Sequence, residues 1–215
     1  MPSFSTGTKY FPPAELANED GLIAIGGSLS KESLLAAYRN GIYPWFNEGD
    51  PIMWWSPDPR FVLYPNDFRY PRSMRPIINK GVFEITFNKN FEEIIRGCQQ
   101  TGNRTNETWI TEEMVVAYSE LHAAGYAHSI EAWRNNKLAG GLYGVKIGAM
   151  FCGESMFARE SNASKAAFIA LMKHASDFGI KMIDCQLHTV HLERFGAKHI
   201  PREQFLKELK NLRDQ

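Results

Sequence analysis

Hydrophobic and polar residues follow a strand-like pattern in the second half of the chain. Three runs, "AHSIEAWR", "KLAGGLYGVKI" and "AMFCGESMF", are rich in β-branched, aromatic and other apolar residues. Asn135-Asn136 and Ile147-Gly148, which separate them, are predicted to form tight turns because Asn and Gly accept the backbone angles of short hairpin loops. Tight turns join antiparallel neighbours, so the pattern predicts three antiparallel strands in succession.

Helices and further strands are predicted on both sides of this triplet. Thr111 is placed to cap "EEMVVAYSELHAAG", and Asn162 or Ser164 to open "SKAAFIALMKHASDFG". The other elements after residue 81 are the strand "VFEITF", the helix "NFEEIIRGC" capped by Asn90, the strand "KMIDCQL" and the helix "REQFLKELKNLR". This order predicts an α+β chain with a mixed central sheet, as in N-acetyltransferase-like (GNAT) domains.

The N-terminal part of the chain has a different composition, rich in Pro, Gly and Trp. Ser30 is placed to cap the short helix "KESLLAAYRN". The run "RFVLYP" is predicted to be a strand that closes a small N-terminal α/β domain. We therefore predict two domains, residues 1–66 and residues 67–215.

Composition narrows the class of protein. The 215 residues are 44% hydrophobic and 22% charged, as in a globular chain rather than a disordered one. No apolar run approaches the roughly 20 residues that span a bilayer, and the first residues lack the basic and apolar segments of a secretory signal. Cys98, Cys152 and Cys185 are odd in number and widely spaced, so we expect a cytoplasmic protein without membrane contact.

The charge balance excludes a global attraction to nucleic acid. Lys and Arg total 24, as do Asp and Glu, so a polyanionic partner must bind a local patch. The best candidate is "FRYPRSMRPIINKG", which carries Arg69, Arg72, Arg75 and Lys80 and no acid. Taken alone, such a run is more often a solvated basic surface than a binding site.

Glu154 is an acid within an otherwise apolar strand, "FCGESMF". Strict alternation places it on one face with Cys152 and Met156, and Gly153 marks either a bulge or the close approach of a ligand. A buried charge is costly unless it is paired. Glu154 therefore either faces a cleft or pairs with a neighbouring Arg or Lys.

A second acid, Asp184, lies in the apolar segment "IDCQ", and Gln186 is predicted to point to the same side of the strand. In an acyltransferase-like sheet the two acid-bearing strands are central neighbours. Glu154, Asp184 and Gln186 are therefore expected to converge on one cleft. Acids in such a cleft can hold a cationic amine or take a proton from it.

The remaining candidates are less specific. Trp45 and Trp109 lie beside turns, and either pack in the core or stack on a nucleobase. The loop "ARESNAS" lacks the Gly-rich turn that cradles the pyrophosphate of CoA. No Walker or GxGxxG pattern occurs, and the pair His188 and His191 is too weak to predict a zinc site. We therefore expect neither a cofactor nor a metal.

A set of motifs stands in a fixed order from about Phe11 to the final helix: "GLIAIGGSLS", "LLAAYRNGIYPWF", "PIMWWSPDPR", "TWIT", "AYSELHAAGYAHSIEAW", "LAGGLYGVKIGAMFCGESMF", "NASK" and "IDCQ". Together they resemble the leucyl/phenylalanyl-tRNA–protein transferase family. The resemblance implies an enzyme without CoA or metal that moves Leu or Phe, and Met less well, from Leu-tRNA or Phe-tRNA to a protein beginning with Arg or Lys. The product is thereby marked for N-end-rule degradation, and we expect the enzyme to be a monomer.

The resemblance also implies roles for individual residues. It assigns catalysis to Asp184 and Gln186, with Gln186 as a base aided by Asp184, and it places Glu154 at the aminoacyl end of the site. A neutral amide is a very weak base, so we expect Gln186 to orient the amine while a carboxylate or the tRNA ribose takes the proton. The implied substrate-binding residues are Trp45, Trp109, Phe151, Ser155, Met156 and Ile183. The implied tRNA-binding residues are Arg72, Arg75 and Lys80.

Two alternatives stay open at this point. One is an N-acetyltransferase that uses acetyl-CoA, although the missing Gly-rich turn argues against it. The other is an RNA-binding protein without catalytic activity, which the neutral net charge supports poorly.

Overall fold

A small β-sheet is formed by the N-terminal part of the chain in a computed structural model that describes residues 3–4, 10–101 and 109–215. Its strands are β1 (Ser3–Phe4), β2 (Leu22–Gly26), β3 (Tyr43–Pro44) and β4 (Met53–Trp55), in the order β1-β2-β4-β3. Helix α1 (Lys31–Arg39) connects β2 to β3. The Ser30 hydroxyl caps α1 by accepting a hydrogen bond from the Ser33 amide at 3.3 Å, which confirms the predicted cap.

A larger, seven-stranded sheet forms the centre of the molecule. Its strands are β5 (Arg60–Leu63), β6 (Glu84–Phe87), β7 (Ala127–Arg134), β8 (Lys137–Ile147), β9 (Met150–Ala158), β10 (Met182–Gln186) and β11 (Lys198–Ile200). Their order is β11-β5-β10-β9-β8-β7-β6. Strands β9 and β10 are parallel, and the other neighbours are antiparallel. The predicted antiparallel triplet and the mixed sheet of an α+β chain are therefore confirmed.

Helices cover both faces of the larger sheet. They are α2 (Arg75–Asn79), α3 (Phe91–Thr101), α4 (Glu112–Ala123), α5 (Ala163–Lys173), α6 (Val190–Glu193) and α7 (Arg202–Leu212). Apolar side chains of α5 pack in one cluster with Phe151 and Ile183, whereas those of α1, α3, α4 and α7 pack in another with Tyr143 and Cys152. Within the described residues, no helix combines the length and the apolar character of a membrane span.

One of the two predicted hairpin turns is correct and the other is wrong. Asn135 and Asn136 have φ angles of +50° and +60° and connect β7 to β8, as predicted. The second turn consists of Gly148 and Ala149 rather than Ile147 and Gly148, because β8 continues through Ile147. Gly148, with φ of +55°, supplies the left-handed conformation that this turn requires.

The segment "RFVLYP" contains the predicted strand, β5, but this strand does not close an N-terminal lobe. It pairs with β10 and β11 inside the larger sheet. All four residues of β5 are buried, which requires cover on both faces and a position in the interior of a sheet. The predicted boundary at residue 66 therefore lies three residues after a strand of the larger sheet, and the two-domain division stays a prediction.

Candidate active site

A cavity opens where the parallel strands β9 and β10 stop pairing. Their last paired residues are Asp184 and Cys152. Beyond this point β9 bulges, because Gly153 and Ser155 pair with consecutive residues of β8 and leave Glu154 without a partner in the ladder. A register shift also occurs in the pairing of β10 with β5, between Asp184 and Gln186. The two irregular strands border a cavity of about 470 Å³.

Because of the bulge at Glu154, the side chains that follow it in β9 lie on the opposite faces from those predicted. Strict alternation places Cys152 and Met156 on one face, but they belong to the two different core clusters. Phe151 and Met156 instead share the face covered by α5. One extra residue in a strand reverses the phase of all the side chains that follow it. The bulge suggested by Gly153 is therefore confirmed, and the phase predicted for Met156 is wrong.

Most of the residues predicted for catalysis or substrate binding line this cavity. They are Trp45, Trp109, Phe151, Glu154, Ser155, Met156, Ile183 and Gln186. Asp184, with 1% of its surface exposed, is not among the lining residues. The cavity therefore combines apolar and aromatic walls with polar groups, among them Glu154 and Gln186, which are hydrogen-bonded to each other.

Glu154 is held by neutral donors. The Gln186 side-chain amide donates to its Oε1 at 3.1 Å, and the Tyr118 hydroxyl donates to its Oε2 at 3.1 Å. The Tyr118 hydroxyl is in turn 2.5 Å from that of Tyr38. No Lys or Arg among the described residues forms an ion pair with Glu154, so the pairing alternative raised by the sequence is not found within them.

The surroundings of Glu154 shift its proton affinity. Burial raises the pKa of its carboxyl group from 4.5 to about 7, the negative charge of Asp184 adds to the rise, and the hydrogen-bonding side chains of Tyr38, Tyr118 and Gln186 oppose it. Part of the residue nevertheless reaches the cavity. Glu154 is therefore a cavity-facing carboxyl group that can both lose and accept a proton near neutral pH.

Asp184 is held by a cation instead. Nε and Nη2 of Arg60 donate to Oδ1 and Oδ2 of Asp184 at 2.8 and 2.7 Å, and both side chains are 1% exposed. The guanidinium group lies between the rings of Tyr43 and Phe205, 4.9 and 4.5 Å from their centroids. Asp184 Oδ1 also accepts a hydrogen bond from the Gln186 backbone amide at 3.0 Å.

The backbone of Gln186 takes an unusual conformation at this contact. Its φ angle of +63° is left-handed, which is uncommon for a residue other than glycine, asparagine or aspartate. In this conformation its backbone amide donates to Asp184 and its side chain donates to Glu154. The three residues predicted to converge are thus linked in the order Asp184, Gln186, Glu154.

Sequence patterns did not identify Arg60, Tyr38 or Tyr118 as members of this network. Tyr38 and Tyr118 lie at apolar positions of α1 and α4, where a tyrosine is indistinguishable from core packing. Arg60 did carry a signal, because an arginine that opens an apolar strand needs an acid to accompany it. The identity of that acid depends on the pairing of β5 with β10.

The structure also gives the positions of the buried cysteines and of the basic residues predicted to bind tRNA. Cys152 and Cys185 are buried as predicted, and burial raises the pKa of both thiols, which makes them poor nucleophiles near neutral pH. Arg72, Arg75 and Lys80 are exposed around α2, and none of them forms an ion pair with a described residue. Their cationic groups are therefore available to a partner.

Three backbone amides at the loop between β9 and α5 are engaged within the protein. The amides of Arg159 and Glu160 donate to the Ala139 carbonyl at 2.8 and 3.0 Å, and the Ala163 amide donates to the Glu160 carbonyl at 3.1 Å. A pyrophosphate-binding loop needs such amides free to point at the ligand. These three amides are therefore not free to bind a pyrophosphate.

Comparisons with protein-family models and with known proteins point to the same family. The model of the leucyl/phenylalanyl-tRNA protein transferase family matches residues 62–210, and the model of that family's N-terminal domain matches residues 27–58. A leucyl/phenylalanyl-tRNA–protein transferase of Flavobacterium johnsoniae is 51% identical over 94% of this chain and 96% of its own. One of Syntrophus aciditrophicus is 55% identical over 91% of this chain and 82% of its own.

A solved structure is similar at a much lower level. It is an aminoglycoside acetyltransferase from an uncultured soil metagenomic sample, 14% identical, with a TM-score of 0.41 over 61% of this chain and 89% of that one. This similarity is too low to establish that the larger sheet is acetyltransferase-like, so that description stays a prediction.

Proposed function

This chain belongs to the leucyl/phenylalanyl-tRNA–protein transferase family, and from that premise we propose that it moves leucine or phenylalanine, and methionine less well, from charged tRNA to the N-terminal Arg or Lys of a protein. The chain is thus an aminoacyltransferase. We expect its product, which begins with a new apolar residue, to enter N-end-rule degradation.

The reaction is an aminolysis of an ester. The α-amine nitrogen of the acceptor attacks the carbonyl carbon of the aminoacyl ester, a C–N bond forms, and the C–O bond to the terminal ribose breaks. The amine loses a proton and the departing ribose oxygen gains one. Because the ester is already activated, the protein has to supply position and proton transfer rather than an energy source.

The position and proton affinity of Glu154 carry this proposal. An α-amine that arrives protonated is no nucleophile, and a carboxylate at the cavity with a pKa of about 7 is suited to take its proton. Gln186, whose side chain reaches Glu154, orients the amine by hydrogen bonds. Asp184 acts as a positioning residue through the Gln186 amide, since it does not line the cavity.

The apolar walls suit the donor. Phe151, Met156 and Ile183 would contact the transferred Leu or Phe side chain, and the flexible Met156 adapts to both shapes. Trp45, with 44% of its surface exposed, and Trp109 would stack on the terminal adenosine. Ser155 would add a hydrogen-bonding group to the same wall.

The test offers tRNA charged with labelled Leu to two acceptor proteins that differ only in their first residue, Arg or Ala. We expect label on the protein that begins with Arg and none on its partner. Absence of label from both, while a transferase relative labels the Arg protein, would refute the proposed function. Tight tRNA binding without product would then favour an RNA-binding protein, and acetyl transfer from CoA an acetyltransferase.

The role of the basic run has its own test. Arg72→Ala should weaken the binding of every tRNA alike and reduce the slope of log Kd against log salt by about 1, because one phosphate contact is lost. Lys137→Ala, at an exposed position of β8 far along the chain, is the matched control and should leave the slope unchanged. An unchanged slope in Arg72→Ala would contradict a tRNA contact at that residue.

A further inference from the structure

A second cavity adjoins the cavity that Glu154 and Gln186 line. It also measures about 470 Å³, and its lining includes Phe87, Tyr126, Ile130, Phe178 and Ile180. Phe151 and Leu171 line both cavities. These two side chains therefore form the wall that separates one cavity from the other, and they are defined here as the Phe151–Leu171 wall.

The Phe151–Leu171 wall fills the gap between the larger sheet and α5. Phe151 projects from β9 and Leu171 from α5, and each is 2% exposed. The phenyl ring lies over Gly144 of β8, where a Cβ atom would be 2.5 Å from Cε1 of Phe151. Any other residue at position 144 would compete with the ring for space. Gly144 thus helps to hold the ring in place between the cavities.

We propose that the Phe151–Leu171 wall sets the maximum length of the donor side chain, and that the second cavity would admit a longer side chain if the wall were shortened. This inference rests on the proposed function, in which the donor side chain occupies the first cavity. On this proposal Leu and Phe would end before the wall, whereas a side chain with a second ring in line would have to pass through it.

The chemistry of the second cavity limits which longer side chains it would accept. Ile130, Phe178 and Ile180 are apolar, and Lys146 is a cation whose Nζ donates to the Gly148 carbonyl at 2.7 Å. A second cationic side chain beside Lys146 would be repelled, since like charges within a few ångströms disfavour each other. The fitting extension is a neutral, apolar aryl group, such as the outer ring of 4-phenylphenylalanine.

The experiment compares tRNA charged with Phe and tRNA charged with 4-phenylphenylalanine as donors for one Arg-initiated acceptor. In Phe151→Ala and Leu171→Ala the ratio of kcat/KM for 4-phenylphenylalanine over Phe should rise by at least about tenfold relative to the unchanged enzyme. Ile180→Ala is the matched control, since it enlarges only the second cavity and leaves the wall intact. Its ratio should stay that of the unchanged enzyme.

The outcomes separate this inference from the proposed function. If the unchanged enzyme transfers Phe but neither wall variant gains 4-phenylphenylalanine, the wall does not set the length limit. An equal gain in Ile180→Ala would overturn the inference as well. If the unchanged enzyme transfers no amino acid at all, the proposed function fails first. Crystal structures would then test whether the Phe151–Leu171 wall separates the two cavities. One continuous cavity is expected in Leu171→Ala, and two separate cavities in Ile180→Ala.

Folding of the variants is controlled separately. Phe151→Ala removes a large buried side chain, so its circular dichroism and urea midpoint are compared with those of Leu171→Ala, which opens the wall from the helix side with a smaller void. A gain in Leu171→Ala alone still supports the inference, because it shortens the same wall. A folded Leu171→Ala with no gain refutes it even if Phe151→Ala does not fold.

Discussion

Two carboxylates at the end of the parallel pair β9 and β10 are stabilised in opposite ways. Asp184 is 1% exposed and receives two hydrogen bonds from the Arg60 guanidinium group. Glu154 reaches the cavity and receives its hydrogen bonds from a neutral amide, that of Gln186, and a neutral hydroxyl, that of Tyr118. The first carboxylate is bound by a cation, whereas the second is bound by neutral donors and has a raised pKa.

The difference assigns separate tasks to two acids that look alike in the sequence. The buried Arg60–Asp184 ion pair, with a hydrogen bond to each carboxylate oxygen, is a structural support. A carboxyl group with a pKa of about 7 exists in both forms near neutral pH. Asp184 should therefore matter first for stability, and Glu154 first for turnover, and substitutions can test this separation.

The largest effect is expected from Asp184→Ala. It leaves Arg60 as a buried charge without a counterion, which costs about 3–5 kcal/mol of folding free energy. Urea denaturation measures this loss directly. Turnover of the folded fraction should also fall strongly, because the Gln186 amide loses its acceptor. Near-normal turnover in Asp184→Ala would contradict the positioning role.

A double variant provides the control for Asp184→Ala. Replacing both members of a buried ion pair by apolar groups is often neutral, so Arg60→Met combined with Asp184→Leu should recover most of the lost stability. Turnover should stay low, since neither replacement can accept a hydrogen bond from the Gln186 amide. Recovery of both quantities together would show that Asp184 acts on activity only through folding.

Glu154→Gln should have the largest effect on the chemical step, and it should not destabilise the fold. Loss of a positioned proton acceptor lowers kcat/KM by about 10²- to 10⁴-fold. The kcat/KM of the unchanged enzyme divided by that of Glu154→Gln should rise with pH through about 7, where the carboxyl group ionises, and level off above it. The acceptor α-amine titrates in both measurements and cancels from the ratio. A ratio independent of pH would contradict proton transfer at Glu154.

The same variant has a defined effect on stability. The folded pKa of Glu154 is raised from 4.5 to about 7, so the folded protein binds this proton more tightly than the unfolded chain does. The resulting destabilisation is absent below about pH 4.5 and complete above about pH 7. Glu154→Gln should therefore gain stability relative to the unchanged protein as the pH rises across this interval, in contrast with Asp184→Ala.

Local patterns predicted the elements that depend on sequence neighbours. Thr111 caps α4 by accepting a hydrogen bond from the Met114 amide, and Asn135 with Asn136 forms the first hairpin turn, because each feature is set by residues within a few positions. That Glu154 and Gln186 lie close together was also predictable, since β9 and β10 are neighbours, but the bulge and the left-handed φ found there were not predicted for both strands.

Long-range pairing decided what the sequence could not predict. Arg60 and Asp184 are 124 positions apart, and no local pattern connects them. The phase of Met156 depends on a bulge that exists only in the pairing of β9 with β8. Strand β11 and helix α6 have three and four residues, which is too short for a hydrophobic period to appear.

Gln186→Gly should separate stability from activity at the residue between the two carboxylates. Glycine accepts a φ of +63° without steric cost, so the free energy of unfolding should stay unchanged or rise by up to about 1 kcal/mol, which means an equally or more stable protein. Turnover should fall by about 10- to 100-fold, because the side chain that reaches Glu154 and orients the amine is gone. A stable variant with unchanged turnover would remove Gln186 from the proposed mechanism.

The smallest effect is expected from Tyr118→Phe, which removes one neutral donor from Glu154 and nothing from Asp184. A hydrogen bond to the ionised form lowers a pKa, so its loss should move the pKa of Glu154 further above 7. Turnover at pH 7 should fall by about 2- to 10-fold and recover at pH 9, where the carboxyl group is ionised in both proteins. Tyr126→Phe, at the second cavity, is the matched control and should show neither change. A loss that persists at pH 9 would mean that Tyr118 acts through packing rather than through the proton affinity of Glu154.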